Sequence, residues 1–367
     1  MKFRVSDGAR FFLLGQRKTV FVESSQQIFE VDDLTAYLTC TLAEATSFQQ
    51  LEADLTGRGI SPRGARSFIK EYLLYWSRQQ LLDIVLDRED GAPLHRQVLD
   101  LAGTAVSVAY HDQGLLDLVL PVFDHQASQD LRPSISYEVA RFGDRACIIR
   151  NRSGGTIVTA AEAAPTLKAS LTDDVLANVG TNVALHAALL VKKSNGLLLC
   201  GAPGAGKTTL ALALLERGFA CGGDDIALMS ADGLLRGVPF APALKRGSWN
   251  LFAGLQDAIM ACPIHRRLDN KNVRYLAPVR YAPRETVPLG TIVLIRRRKK
   301  GPAVISDVEP ARVLSELLSG AFTPAGRLSL MQFQSLLHAI SGARTIELTF
   351  SRLDEAVEVL SRYHDGK

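Results

Sequence analysis

The chain has 367 residues, of which 47% are hydrophobic and 22% charged, enough for two or three domains with a sizeable core and unlike a disordered or fibrous chain. Its formal net charge of +4 is only mildly basic, and beyond one dense run, 296–300, no basic face is concentrated in the sequence, so nucleic acid is not the expected partner. Five scattered cysteines without a CxxC pair argue against a disulfide framework or zinc site, and the absence of a signal-like N-terminus or an uncharged apolar run of about 18 residues predicts a cytoplasmic chain outside the membrane.

In chain order, β-like runs at 11–14, 19–22 and 27–31 come first, parted by the turn residues Gly15 and Ser24-Ser25. Helical spacing follows. Leu34, Tyr37 and Leu38 share one face, and Phe48, Leu51 and Leu55 another, before 57–59 breaks the pattern. Ser61-Pro62 predicts the cap and first turn of a third helix with the apolar stripe Phe68, Ile69, Tyr72, Leu73 and Trp76. Residues 81–86 read as a closing strand, and the polar segment 88–93, with its Gly and Pro, as a linker. These signals set a first domain at 1–90.

A middle α+β region is expected at 96–180, with β-like runs at 105–110, 135–141 and 146–150 and a helix over 160–176. It carries no catalytic spacing. The third domain, 181–367, carries the chemistry. Residues 196–200 form a short apolar run that predicts a buried parallel strand, and 208–217 a helix ended by Gly218. A hairpin is expected over 226–229 and 234–238 around Ala231-Asp232-Gly233. The β-like runs 291–295 and 303–308 flank the basic run, which predicts a solvated hairpin tip or a contact for an acidic partner. Helices at 310–319, 329–340 and 353–364 and a strand at 345–350 complete the reading.

The strongest signal is Gly201-Ala202-Pro203-Gly204-Ala205-Gly206-Lys207-Thr208, with Thr209 behind it, which fits GxxxxGK[ST]. Glycines let the backbone wrap so that its N–H groups face phosphate oxygens, and the helix that follows turns its positive end on the same anion. Lys207 would place a charge on the β- and γ-phosphates, and Thr208 a hydroxyl on Mg²⁺. An apolar strand before and a helical stretch after give the motif its required context, so ATP with Mg²⁺ is the expected ligand.

Asp224-Asp225 stands 17 and 18 residues beyond Lys207, after Gly222-Gly223. Paired carboxylates beside a metal–phosphate site can orient the metal and accept a proton from an attacking hydroxyl. A turn or helix cap would use the same residues. His186, 21 residues before Lys207, lies in the apolar run 183–189, where a histidine can equally be a core residue.

The series 185–190, 196–209, Arg217-Gly218-Phe219 and Asp224-Asp225 resembles the catalytic domain of HPr serine kinase/phosphorylase and its relatives. The resemblance implies an α/β fold with a P-loop catalytic domain of the HPr kinase/PEP carboxykinase type. It implies phosphate and metal roles for Lys207 and Thr208, Asp224 as the base, Asp225 as its partner near the metal, and His186 beside the γ-phosphate. It also implies a homo-oligomer as one arrangement. The family's Glu-Ile-Arg-Gly signature is missing, and 239–248 stands there instead. That segment looks more like the HPr-kinase-related proteins of bacterial biosynthetic clusters, leaving phosphorylase activity and HPr as acceptor open. Lys245, Arg274 and Arg280 are candidate charge stabilisers.

The first domain resembles PqqD-type winged-helix domains, which take a leader peptide as an added strand. The combined resemblance implies a kinase that phosphorylates Ser or Thr of a ribosomal precursor peptide. A small-molecule alcohol or a carrier protein is an alternative acceptor, and a nucleotide sensor that transfers nothing is an alternative class. DNA on the winged helix, through Arg63, Arg66, Lys70 and Arg78, is a further option.

Overall fold

The computed structural model describes residues 1–366 except 24, 87–90, 152–153, 278–279 and 283–285. Ser24 of the predicted turn and the first three residues of the predicted linker fall outside the described residues. The chain is mixed α/β and forms two compact units, Met1–Leu99 with Ala105–Pro121 and Ser128–Leu167, and Asp100–Thr104 with Val122–Ala127 and Lys168–Lys367. Among the described residues no helix is long and apolar enough to cross a membrane, and all five cysteines are free.

In the first unit the strands Ala9–Leu14, Arg17–Val22 and Gln27–Glu30 form an antiparallel meander. Three helices follow, Asp33–Thr41, Phe48–Gly57 and Pro62–Arg78. Each starts on a residue suited to satisfy its first free N–H groups: Asp32, Ser47 with a reciprocal bond from Gln50, and Ser61. The third helix buries Ala65, Ile69, Tyr72, Leu73 and Trp76, a 3.6-residue stripe, against Leu38, Leu51, Leu55 and Val20. A second small sheet includes Lys2–Val5, whose alternation buries Phe3 while Arg4 reaches Asp83 at 2.9 Å. The remaining strands of this unit belong to a five-stranded sheet.

The second unit is built on a ten-stranded mixed sheet, counted among the described residues. At its centre the strand Asn195–Cys200 pairs in parallel with Val287–Arg297, which pairs in parallel with Arg344–Phe350. Strand periodicity sends successive side chains to opposite faces. Leu197 and Leu199 therefore join a core with Leu210 and Leu214 of the helix Lys207–Leu215 and with Leu360. Leu198 and Cys200 join a second core with Ile292, Val313 and Ile340. With both faces covered, the strand is apolar from Gly196 to Cys200, as a buried parallel strand must be.

The basic run is not a hairpin tip. Arg344–Phe350 lies between the two expected hairpin strands, parallel to Val287–Arg297 and antiparallel to Val304–Asp307. Arg296 and Arg297 end the central strand instead.

A small three-stranded sheet, Ala243–Lys245, Asn272–Tyr275 and His265–Arg266, completes the unit. His265 is 1% exposed, and neither ring nitrogen has a partner among the described residues. Burial pushes its pKa down to about 4. The unfolded chain, near the ordinary value of about 6.5, therefore takes up a proton first as pH falls. Stability from this group is intact above about pH 6.5 and is lost progressively toward pH 4. The expected loss by pH 5 is about 2 kcal/mol. Denaturant titrations near pH 7.5 and pH 5 measure it, and His265→Leu should shrink the difference by that amount.

Candidate functional site

The loop between the strand Asn195–Cys200 and the helix Lys207–Leu215 is shaped by its glycines. At Gly201, φ is +149° and an added Cβ would lie 2.9 Å from the Ile295 carbonyl oxygen, so only glycine fits. Among the described residues no side chain caps the helix, where Gly206 holds the N-cap position. The first-turn amides, which have no partner within any helix, carry its positive end. Lys207 is mostly buried, and its Nζ donates to the Gly201 carbonyl at 2.6 Å, which places an ammonium inside the loop.

The carboxylate pair is set by the strand Ala220–Gly223. An added Cβ at Gly223 would stand 2.6 Å from the Val238 carbonyl oxygen, so this backbone approach also requires glycine. It delivers Asp224 to the helix start. The Thr208 hydroxyl donates to Asp224 Oδ2 at 3.0 Å, while Asp224 is 1% exposed and its Oδ1 has no partner among the described residues. Asp225 Oδ2 accepts from Lys168 Nζ at 2.8 Å. Lys168 lies on the helix Ala160–Ala177, with its ammonium also over the rings of Phe240 and Tyr275.

Environment separates the two acids. Burial, then the charge of Asp225, pushes Asp224 well above the usual carboxylate range. The Lys168 ammonium holds Asp225 below it.

Lys207, Thr208, Thr209, Asp224, Asp225 and His186 line one cleft of about 330 Å³. Pro203, Gly204 and Gly206 contribute loop backbone to its wall, whereas Gly201, Ala202 and Ala205 shape the loop from outside it. His186 does not sit within a strand. It is exposed at the break between Val183–Leu185 and Ala188–Lys192, where the chain changes strand partners.

Lys245 is also on the wall, but Arg274 and Arg280 are not. Arg274 is buried elsewhere, donating to the Met260 carbonyl at 2.8 Å with its guanidinium over Trp249. Instead the cleft takes Arg267 and Arg297, with Ser248 bonded to Thr209 at 3.1 Å. Sequence reasoning did not single out Lys168, Arg267, Arg297 or Ser248 as site residues. Only the basic run hinted at Arg297.

The donors near the loop helix are hard oxygens: the Thr208 hydroxyl, the Asp225 carboxylate and the unpartnered Asp224 Oδ1. That set fits Mg²⁺ rather than a soft metal. Among the described residues no cluster of three His, Cys, Asp or Glu could hold a metal ion unaided. Mg²⁺ characteristically completes its octahedron with waters and phosphate oxygens.

No family model and no curated protein matches this chain. Among solved structures it is similar to the Hpr(Ser) kinase/phosphatase from Coxiella burnetii, with 14% sequence identity and a TM-score of 0.20, over 50% of this chain and 99% of that one.

Proposed function

We propose that the chain is a kinase that transfers the γ-phosphoryl group of ATP to a Ser or Thr hydroxyl of a ribosomal precursor peptide. The observation that carries the transfer reading is the hydrogen bond from Thr208, at the start of the phosphate-loop helix, to the buried Asp224. It joins an anion-binding loop to a carboxylate able to take a proton.

In this reading the loop amides and Lys207 hold the β- and γ-phosphates. Asp224 accepts the proton of the acceptor hydroxyl while the new O–P bond forms. The bond from the γ-phosphorus to the bridging oxygen breaks, and ADP leaves with the electron pair. Asp225 is kept ionised by Lys168. Thr208 and Asp225 would hold Mg²⁺, which when bound supplies charge neutralisation at the phosphates. His186, Lys245 and Arg267 line the same cleft and would meet further negative charge there. Positioning and electrostatics supply the acceleration, as in other phosphoryl transfers.

For the peptide, the support lies in the first unit. Among the described residues the strand Gln27–Glu30 pairs on one side only and leaves Ile28 66% exposed, which suits an added strand. With residues 1–90 as a PqqD-like module, the leader would pair there while the catalytic domain, from 181 onward, acts on the remainder. The test is incubation of the chain with ATP–Mg²⁺ and the precursor peptide encoded beside it. Mass spectrometry should show one added phosphate on a Ser or Thr. Unmodified peptide together with intact ATP binding overturns the peptide as acceptor.

A further inference from the structure

A cavity of about 80 Å³ lies within the second unit and, among the described residues, shares no lining residue with the phosphate-loop cleft. Gly222, on the strand that leads to Asp224, is part of its wall. The lining is of two kinds. Leu189, Val191, Leu235 and Val287 are apolar and buried, whereas His125, Gln126, Tyr281, Asp100 and Arg236 are polar. The Pro239 carbonyl accepts from His125 Nε2 at 2.8 Å and from Gln126 Nε2 at 2.6 Å. A carbonyl can only accept, so His125 carries its hydrogen on Nε2 and leaves Nδ1 as an acceptor. Burial lowers the pKa of His125, which keeps the ring neutral near pH 7. Gln126, 2% exposed, likewise commits its amide nitrogen and keeps Oε1 as an acceptor. His125 Nδ1, Gln126 Oε1 and Tyr281 Oη are buried and have no partner among the described residues. The Tyr281 ring stacks on His125, with 4.7 Å between centroids. Arg236 faces Asp100 at 3.9 Å, beyond hydrogen-bond distance, so its forked N–H groups remain suited to a carboxylate.

We infer that this cavity binds a small α-amino acid with an apolar side chain, of the size of valine. Buried polar atoms without partners cost the fold free energy, which a matched ligand restores. Here the unmet atoms are two acceptors and a hydroxyl, so the match is a group that brings hydrogens, and an ammonium does. Asp100 adds a negative charge to the same lining. Arg236 takes the carboxylate, and the Tyr281 hydroxyl can serve either end. The four apolar side chains receive the aliphatic part. The volume has room for about five to eight water-sized groups, which admits valine and excludes a nucleotide or a peptide. The inference is independent of the kinase reading.

The test is calorimetric titration of the full chain with L-valine, isobutylamine and 3-methylbutanoate. The amine lacks valine's carboxylate, and the acid lacks its ammonium. Wild type should bind valine about tenfold or more tightly than either. Arg236→Met should bring valine to within about twofold of the amine while leaving the amine's own affinity unchanged. Should that variant show no cooperative unfolding on heating, Tyr281→Phe takes its place. It removes one hydroxyl, keeps the ring over His125 and should weaken valine about fivefold or more. No binding of valine, with water alone in the cavity, overturns the inference. So does an amine or acid that binds as tightly as valine, or a valine affinity that the folded variant does not lower.

Discussion

Asp224→Asn should lower the rate of phosphoryl transfer by about 10²–10⁴-fold, the span expected for loss of a general base, with ATP affinity nearly unchanged. The substitution keeps the shape of the side chain and an oxygen able to accept from Thr208, whose hydroxyl now donates to Asp224 Oδ2 at 3.0 Å. It removes only the capacity to take a proton. Because Asp224 is 1% exposed and burial already disfavours its charge, the neutral amide should not destabilise the fold. Single-turnover transfer and nucleotide titration on the same preparation separate the two effects. A variant that binds ATP and transfers at the wild-type rate would remove Asp224 from the chemistry, and one that loses ATP binding would make it a ligand-holding residue.

Lys168→Met should also cost activity, and it should cost stability as well. Lys168 is the ion-pair partner of Asp225 at 2.8 Å, with 12% of the lysine side chain and 39% of the aspartate side chain exposed. Truncating one member of a fully buried pair costs about 3–5 kcal/mol. The exposure of Asp225 brings the expected loss to about 1–3 kcal/mol through solvent screening. Without the ammonium, the carboxyl of Asp225 should rise toward and beyond its ordinary range. Lys168→Arg should recover part of the stability. The double variant Lys168→Met with Asp225→Asn should lose less than the two single losses added, because each single change leaves a polar group without its counter-charge. Additive losses in denaturant titrations would show that the pair is not coupled.

The phosphate loop was legible because a local motif carries it: strand, glycines, Lys207 and helix are contiguous, and each has a local physical requirement. Helices with caps and apolar stripes, such as Pro62–Arg78, were legible for the same reason. The helix Gln113–Phe123 was not read from the sequence; it holds Pro121 in its last turn. The strand Lys2–Val5 is short and carries two cations, and only its sheet partners make it a strand.

The misread site features depend on contacts between distant parts of the chain. Lys168 sits in an alanine-rich helical stretch where a lysine reads as solvated, and Asp225 is 57 residues away. Residues 183–189 read as one apolar strand because hydrophobicity does not mark where a strand changes partners. That change is what frees His186. Arg297 read as a turn residue because nothing between 297 and 304 announces that Arg344–Phe350 will lie between the flanking strands. Arg274 has the composition of an anion ligand, but its donors go to backbone carbonyls.

A crystal structure with a non-hydrolysable ATP analogue and Mg²⁺ tests the shared site most directly. The triphosphate should be wrapped by residues 201–209, with Lys207 turned from the Gly201 carbonyl onto the β- and γ-phosphates and Asp224 within about 2.6–3.2 Å, or one water, of the in-line position for an attacking hydroxyl. A triphosphate bound elsewhere, or an Asp224 carboxylate directed away from the γ-phosphate, would contradict it.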